Sequence, residues 1–195
     1  MKPKVSMRES LSDPDLFGPI MPGESWYPAR VLLIAAAGEA LNDDEREVFR
    51  KLTSRSCEPR QMCRELIVIF GRRGGKTTML AVFNCWIAAL CDHRDVLAPG
   101  EKGIALVISR DQRAATVTLD RIDGILNSSI ILSQLIANRT ADAIELTNGI
   151  ICEVRPCNKI SGRQLCDRDL QTWDIKPGFG FCFFPQFNLA PRCGV

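Results

Sequence analysis

Apolar residues recur along this chain with two different spacings, and the change from one to the other marks its elements. Residues 30–41 are apolar on most sides and predict a helix. Asn42 then opens Asn-Asp-Asp-Glu, an N-cap with Glu45 placed as its capping-box partner. Val48, Phe49 and Leu52 give the helix that follows one apolar face. After a loop holding Pro59, residues 65–70 form a short apolar run that predicts a buried strand. Met79, Leu80, Val82, Phe83, Trp86, Ile87 and Leu90 then recur with helical spacing in a broad stripe, as in a helix packed on a sheet. The neighbouring Phe83 and Trp86 read as core. Pro99-Gly100 breaks the chain. Residues 104–108 predict a second buried strand. Residues 110–126 predict a helix whose faces are defined by Ala114, Val117, Arg121, Ile122 and Ile125, with Asp120 and Asp123 on its solvated side. Ser128-Ser129 caps a short helix reaching about Ala137. The apolar runs 143–146 and 150–154 flank Thr147-Asn148-Gly149, a strong hairpin signal. Residues 1–28, rich in Pro, Gly, Ser and Asp, read as an irregular arm docked through Phe17 and Trp26. No internal repeat is present.

The order strand, helix, strand, helix implies an α/β fold: a parallel sheet with helices on both faces, preceded by a short helical N-terminal segment. At 195 residues the chain allows one domain or one with a small appendage. Its 25 basic and 23 acidic residues leave a net charge of +2, so bulk electrostatics do not announce a nucleic-acid partner. Nine cysteines are present without any C-x-x-C, and the single histidine, His93, has no paired ligand spacing. Free thiols in a reducing cytosol are the expectation, with a zinc site from Cys152, Cys157 and Cys166 as the alternative. Met-Lys-Pro-Lys is followed by polar residues rather than the apolar core of a signal peptide. The longest uncharged apolar stretch, 77–91, falls short of the roughly 20 residues a bilayer span requires, and it contains Asn84. A soluble, cytoplasmic protein without a membrane partner is expected.

The candidate chemistry lies between the first strand and the broad helix. Gly71-Arg72-Arg73-Gly74-Gly75-Lys76-Thr77-Thr78 has the layout of a phosphate-binding loop. Glycines let backbone N–H groups curl around a phosphate without Cβ clashes, and the positive end of the following helix adds attraction. Lys76 would reach the β- and γ-phosphates of ATP, and the Thr77 hydroxyl would hold Mg²⁺. The general pattern asks for Gly where Phe70 stands; here the glycine comes one place later. A basic surface turn would explain the glycines but not Lys-Thr at a helix start.

Residues 64–77, Arg-Glu-Leu-Ile-Val-Ile-Phe-Gly-Arg-Arg-Gly-Gly-Lys-Thr, resemble the ATPase loop of large terminase subunits, the DNA-packaging motors of tailed phages and prophages. In that family the first glycine is often displaced and followed by Arg, as Gly71 and Arg72 are. Leu97-Ala-Pro-Gly-Glu-Lys-Gly103 and the following Ala-Leu-Val-Ile-Ser-Arg-Asp-Gln-Arg113 are similar to the family's second strand and polar turn. Thr140 to Gly149 and Glu153-Val-Arg-Pro156 look like its hairpin, and Ser161-Gly-Arg163 like the turn towards its next strand. Weaker similarity reaches back to Asp13-Pro-Asp-Leu-Phe-Gly-Pro19 and Ser25-Trp26. The resemblance implies ATP and Mg²⁺ on residues Gly71 to Thr78, with Arg72 or Arg73 stabilising charge on the γ-phosphate. It also implies a homo-oligomeric ring around double-stranded DNA, a portal protein and a small terminase subunit as partners, and a bacterial host cytoplasm.

The resemblance stops after Arg163. The family should next show an apolar strand ending in Asp-Glu, the Asp ordering Mg²⁺ and the Glu activating water. Here Gln164-Leu-Cys-Asp-Arg-Asp-Leu-Gln-Thr-Trp-Asp follows, and residues 177–195 contain neither Asp nor Glu but five phenylalanines from Phe179 to Phe187. Asp167, Asp169 and Asp174 are the remaining candidate acids, and none ends an apolar strand. The shift has the look of a reading-frame change, with a divergent native segment as the alternative. The expected organisation is therefore an N-terminal arm and helical segment over 1–60, a partial P-loop ATPase domain over 61–163, and an atypical, irregular tail over 164–195. Three functional readings follow: an ATPase of a packaging motor, a remnant that at most binds nucleotide, or a helicase-like P-loop ATPase of another kind.

Overall fold

The computed structural model describes residues 1–71, 73–109 and 111–156. Arg72, Arg110, the turn at Ser161-Gly162-Arg163, Cys157, Cys166, the candidate acids Asp167, Asp169 and Asp174, and the whole 164–195 tail lie outside the described residues.

The N-terminal arm holds more regular structure than its composition suggests. A two-residue strand, β1 (Lys2–Pro3), precedes helix α1 (Met7–Ser12). A capping box starts α1: Ser6 Oγ accepts from the Glu9 N–H at 3.1 Å, and the Glu9 carboxylate accepts from the Ser6 N–H at 3.0 Å. Phe17 is fully buried, as expected of a docking point. Helix α2 (Tyr27–Ala36) begins three residues earlier than its apolar run, because Pro28 sits in its first turn, where proline is pre-organised for a helix. It stops before Gly38, whose φ of +80° and backbone contact with Gln61 leave no room for a Cβ. Helix α3 (Asp43–Thr53) starts at the expected Asn42–Glu45 capping box.

The run over 65–70 departs from expectation. It is extended but belongs to no sheet among the described residues. Leu66, Val68 and Phe70 pack against the core, while Ile67 and Ile69 are 78% and 87% exposed. The segment is thus half-buried and unpaired rather than a buried strand. Its alternation of burial is that of a strand, but it pairs with no described strand.

Helix α4 (Lys76–Leu90) is buried on nearly all sides from Met79 onwards. Phe83 and Trp86 stack with centroids 6.0 Å apart, and the Trp86 Nε1–H donates to the Val5 carbonyl at 3.0 Å. The helix runs into β2 (Cys91–Asp92), which pairs antiparallel with β1, so α4 joins the N-terminal elements to the rest of the core.

The sheet has four strands in the order β3 (Gly103–Ser109), β6 (Ile150–Pro156), β5 (Ala143–Leu146), β4 (Ile136–Arg139). Only β3 and β6 are parallel. The fold is α/β, but the sheet is mixed, because the Asn148-Gly149 turn folds β5 back on β6. Gly149 has φ +83°, and the Asn148 Oδ1 accepts from the Ile150 N–H at 3.1 Å. Helix α5 (Gln112–Asn127) follows β3. Helix α6 (Ile130–Ser133), capped by Ser129, is shorter than expected, since Ile136 onward pairs with β5 instead of continuing it.

Burial alternates strictly along β6: Ile150, Cys152, Val154 and Pro156 are buried and the residues between them are not. Helices α4 and α5 pack on each other and on the sheet. They cover one face. The opposite face carries Ile104, 57% exposed, with Glu153, Arg155 and the Lys102–Glu145 ion pair. Among the described residues the sheet is therefore covered on one face rather than two, and β3 is only partly buried.

Candidate functional site

Glycine and positive φ shape the turn into α4. Arg73 has φ +64° and Gly75 φ +80°. The Gly74 N–H donates to the Gly71 carbonyl at 3.1 Å, closing the turn on itself. A Cβ on Gly74 would lie 3.1 Å from that carbonyl and 3.2 Å from the Phe70 ring. A side chain at 74 would crowd these neighbours, and residue 75 is held to glycine by its dihedral. An arginine at positive φ costs on the order of 1–3 kcal/mol and points to a backbone over-determined by its surroundings.

Gly75 is the N-cap of α4 and has no side chain to satisfy the donors of the first turn. Lys76 begins the helix and is exposed; Thr77 and Thr78 are half-buried beside it. The cluster of Gly71, Arg73, Gly74, Gly75, Lys76, Thr77 and Thr78 is contiguous around a helix N-terminus, as the motif requires. Arg72, the remaining member, lies outside the described residues.

Two tethers fix the direction of the helix. The Asn148 Nδ2–H donates to the Ala88 carbonyl at 2.7 Å, which puts the end of α4 at the turn where β6 starts. The Asn84 amide reaches the Ala105 carbonyl, early in β3. Helix α4 therefore runs against β3 and β6, and its N-terminus points to their carboxyl ends, where open α/β sheets bind ligands. Helix α5 starts at the same end, with the Asp111 carboxylate accepting from the Ala114 N–H at 2.8 Å. Ser109, the last residue of β3, is buried there, and its hydroxyl has no hydrogen-bond partner among the described residues.

Other candidates resolve into structural roles. Asp120 and Asp123 both pair with Arg139, each at 3.0 Å, on the outer side of α5. His93 is buried with Nε2 2.8 Å from the Ile87 carbonyl. No group of three His, Cys, Asp or Glu side chains among the described residues can hold a metal ion. Burial pushes the Cys91 and Cys152 thiols up to about 12 and Cys85 well above its ordinary value, so these cysteines are inert core residues. A cleft of about 560 Å³ between α1 and α2 is lined by Arg8, Tyr27, Arg30 and Glu45. Its charges answer each other: Arg8 holds Glu45 below the usual carboxylate range through their hydrogen bonds, and the Arg30 guanidinium donates to the Met21 carbonyl at 2.9 Å. No helix among the described residues is long and apolar enough to cross a membrane.

Sequence reasoning missed two features of this end of the molecule. The Asp111 cap was legible in Asp-Gln-Arg-Ala ahead of a helical run. The contact of Trp26 with Gly75 was not, since 49 positions separate them. No protein-family model matches the chain, and no curated protein matches it.

Proposed function

We propose that residues 71–78 bind the triphosphate of ATP with Mg²⁺, and that the chain is the ATPase part of a DNA-packaging motor like the large terminase subunits it resembles. One observation carries the reading. A glycine-rich turn with two positive-φ residues delivers Lys-Thr to an uncapped helix N-terminus aimed at the carboxyl end of a parallel strand pair. Backbone donors there suit phosphate oxygens. Lys76 would meet the β- and γ-phosphates, the Thr77 hydroxyl would ligate Mg²⁺, and Arg72 or Arg73 would face the γ-phosphate. Bound Mg²⁺ would neutralise charge on the phosphates. In the assembled motor, subunits would form a ring around double-stranded DNA in the host cytoplasm, working with a portal protein and a small terminase subunit.

A second reading, nucleotide binding without turnover, is favoured by the sequence beyond Arg163. No apolar run ending in Asp-Glu follows, and residues 177–195 hold no carboxylate side chain.

Calorimetric titration with ATP and Mg²⁺ tests the common core of both readings. Lys76→Ala removes a charge-assisted hydrogen bond worth about 1.5–3 kcal/mol, so its affinity should fall about 10- to 100-fold. Equal affinity in wild type and variant would overturn the assignment.

A further inference from the structure

The Trp26 side chain occupies the space that a Cβ on Gly75 would take. Its Cη2, Cζ3 and Cζ2 atoms lie 2.4, 2.7 and 3.3 Å from that position, so the outer edge of the six-membered ring rests against the Gly75 backbone. Trp26 closes the 3₁₀ turn Glu24–Trp26 and is the N-cap of α2. That helix is firmly seated: Val31 and Leu33 are fully buried, and the Arg30 side chain ties its first turn to Met21. The ring is thus mounted on a rigid element and reaches across to the residue that opens α4.

The loop's other supports among the described residues are local. The segment before it, 65–70, has no ladder hydrogen bonds among the described residues. Within the turn the described backbone bond is Gly74 to Gly71, and the first helical bond is Met79 N–H to the Gly75 carbonyl at 3.0 Å. Gly75 is also the most permissive residue type at a φ that must be held at +80°. Fixing such a residue from outside lowers the entropy lost when a ligand orders the loop.

We propose that Trp26 is a positioning residue for the 71–78 loop: its ring edge holds Gly75 in the left-handed conformation that starts α4, keeping the backbone donors of Lys76 and Thr77 set for an anion. The role of those donors in nucleotide binding rests on the reading given above; the hold on the loop does not.

Hydrogen exchange on the ligand-free chain tests the hold. Trp26→Leu and the milder Trp26→Phe withdraw the far ring edge, whereas Trp26→Tyr keeps a side chain long enough to reach Gly75. The Gly74 and Met79 amides, which donate to the Gly71 and Gly75 carbonyls, should exchange about tenfold faster or more in the Leu and Phe variants, as expected of a locally loosened segment, and near the wild-type rate in the Tyr variant. Amides 82–90 should be unchanged. If Leu does not fold, the Phe and Tyr pair carries the comparison. Unchanged exchange at Gly74 and Met79, or acceleration spread evenly through α2 and α4, would overturn the proposal. Titration with ATP and Mg²⁺ on the same variants separates the two inferences. Affinity should fall about three- to tenfold in Phe and return in Tyr, as for a lost pre-organisation. If wild type shows no binding that depends on Lys76 while the exchange result holds, the nucleotide reading fails and the positioning role stands. Wild-type binding with unchanged loop exchange in all variants has the opposite meaning.

Discussion

Arg46 is the main partner of the Glu58 carboxylate. The Arg46 guanidinium grips it with two hydrogen bonds of 2.9 and 3.0 Å, and the Leu41 N–H adds a third at 3.2 Å. Arg46 is the main cause that lowers its pKa from 4.5 to about 2. Glu45 is lowered in the same direction, chiefly by its hydrogen bonds to Arg8. A carboxylate held below its unfolded value stabilises the fold above that value and loses the effect as pH falls towards the folded one. For Glu58 the window runs from about 4.5 down to about 2. Thermal midpoints recorded across that range should fall less steeply in Glu58→Gln than in wild type; parallel curves would show that the pair does not contribute. Thiol reactivity offers a second check on single residues. Cys57 is exposed, whereas Cys85, Cys91 and Cys152 are buried with raised pKa values. A disulfide reagent at neutral pH should label Cys57 in the native protein and reach those three only on unfolding. Rapid labelling of Cys152 in the native state would contradict its place in the core.

Elements differ in how far their neighbours in the sequence specify them. The Asn42–Glu45 box was legible because a cap and its partner are three residues apart, and both bonds form. The same chemistry at Ser6 and Glu9 was equally legible, yet proline and aspartate around it drew the reading towards an irregular arm. Asn42→Ala should cost about 0.5–2 kcal/mol in urea unfolding, and Asn42→Ser should restore most of it. Helix α4 was readable for the opposite reason. Its apolar positions cover nearly every side, and the helix proves buried nearly all round. Trp86 sits at its centre, fully buried, stacked on Phe83 and bonded to Val5. Trp86→Ala should destabilise by about 3–5 kcal/mol. A loss below about 1 kcal/mol, ordinary for a surface site, would mean that α4 does not join the N-terminal elements to the core as described. The region after Ser129 was misread as helix to Ala137, because nothing local distinguishes a short apolar run that continues a helix from one that joins a sheet. Pairing of Ile136 with Leu146 settled it.

At the scale of the molecule, the sheet and the loop have different standing. The 65–70 segment, which pairs with no strand among the described residues, turns Ile67 and Ile69 outward next to the loop. Apolar, unpaired extended backbone invites association. Replacing both isoleucines with lysine should leave thermal stability nearly unchanged while reducing self-association seen by light scattering; unchanged association would show that this strip plays no part. Hydrolysis belongs to this scale too, because it needs acids from elsewhere in the fold. On the second reading, nucleotide binding without turnover, steady-state ATP hydrolysis by the chain alone should be near background, since loss of an acid or base typically costs about 10²–10⁴ in rate. Turnover at about 1 s⁻¹ or faster, ordinary for an enzyme, would refute this and direct attention to Asp167, Asp169 and Asp174.

Caps, the Asn148-Gly149 hairpin, the helical span of α4 and the glycine-rich turn ahead of it were all readable from the residues alone. Each depends on atoms within a few positions of one another, where backbone preference and short hydrogen bonds dominate. Three features were not: the pairing of β3 with β6, the position of 65–70 outside the sheet among the described residues, and the rest of Trp26 on Gly75. Each is a choice of partner between segments tens of residues apart. The alternating run at 65–70 suits a strand in any sheet that offers an edge, and the parallel join of β3 to β6 exists only because α5, α6 and the hairpin carry the chain back across the same face. Such choices follow from how α4 and α5 share one side of the sheet, which no stretch of residues specifies until the others are in place.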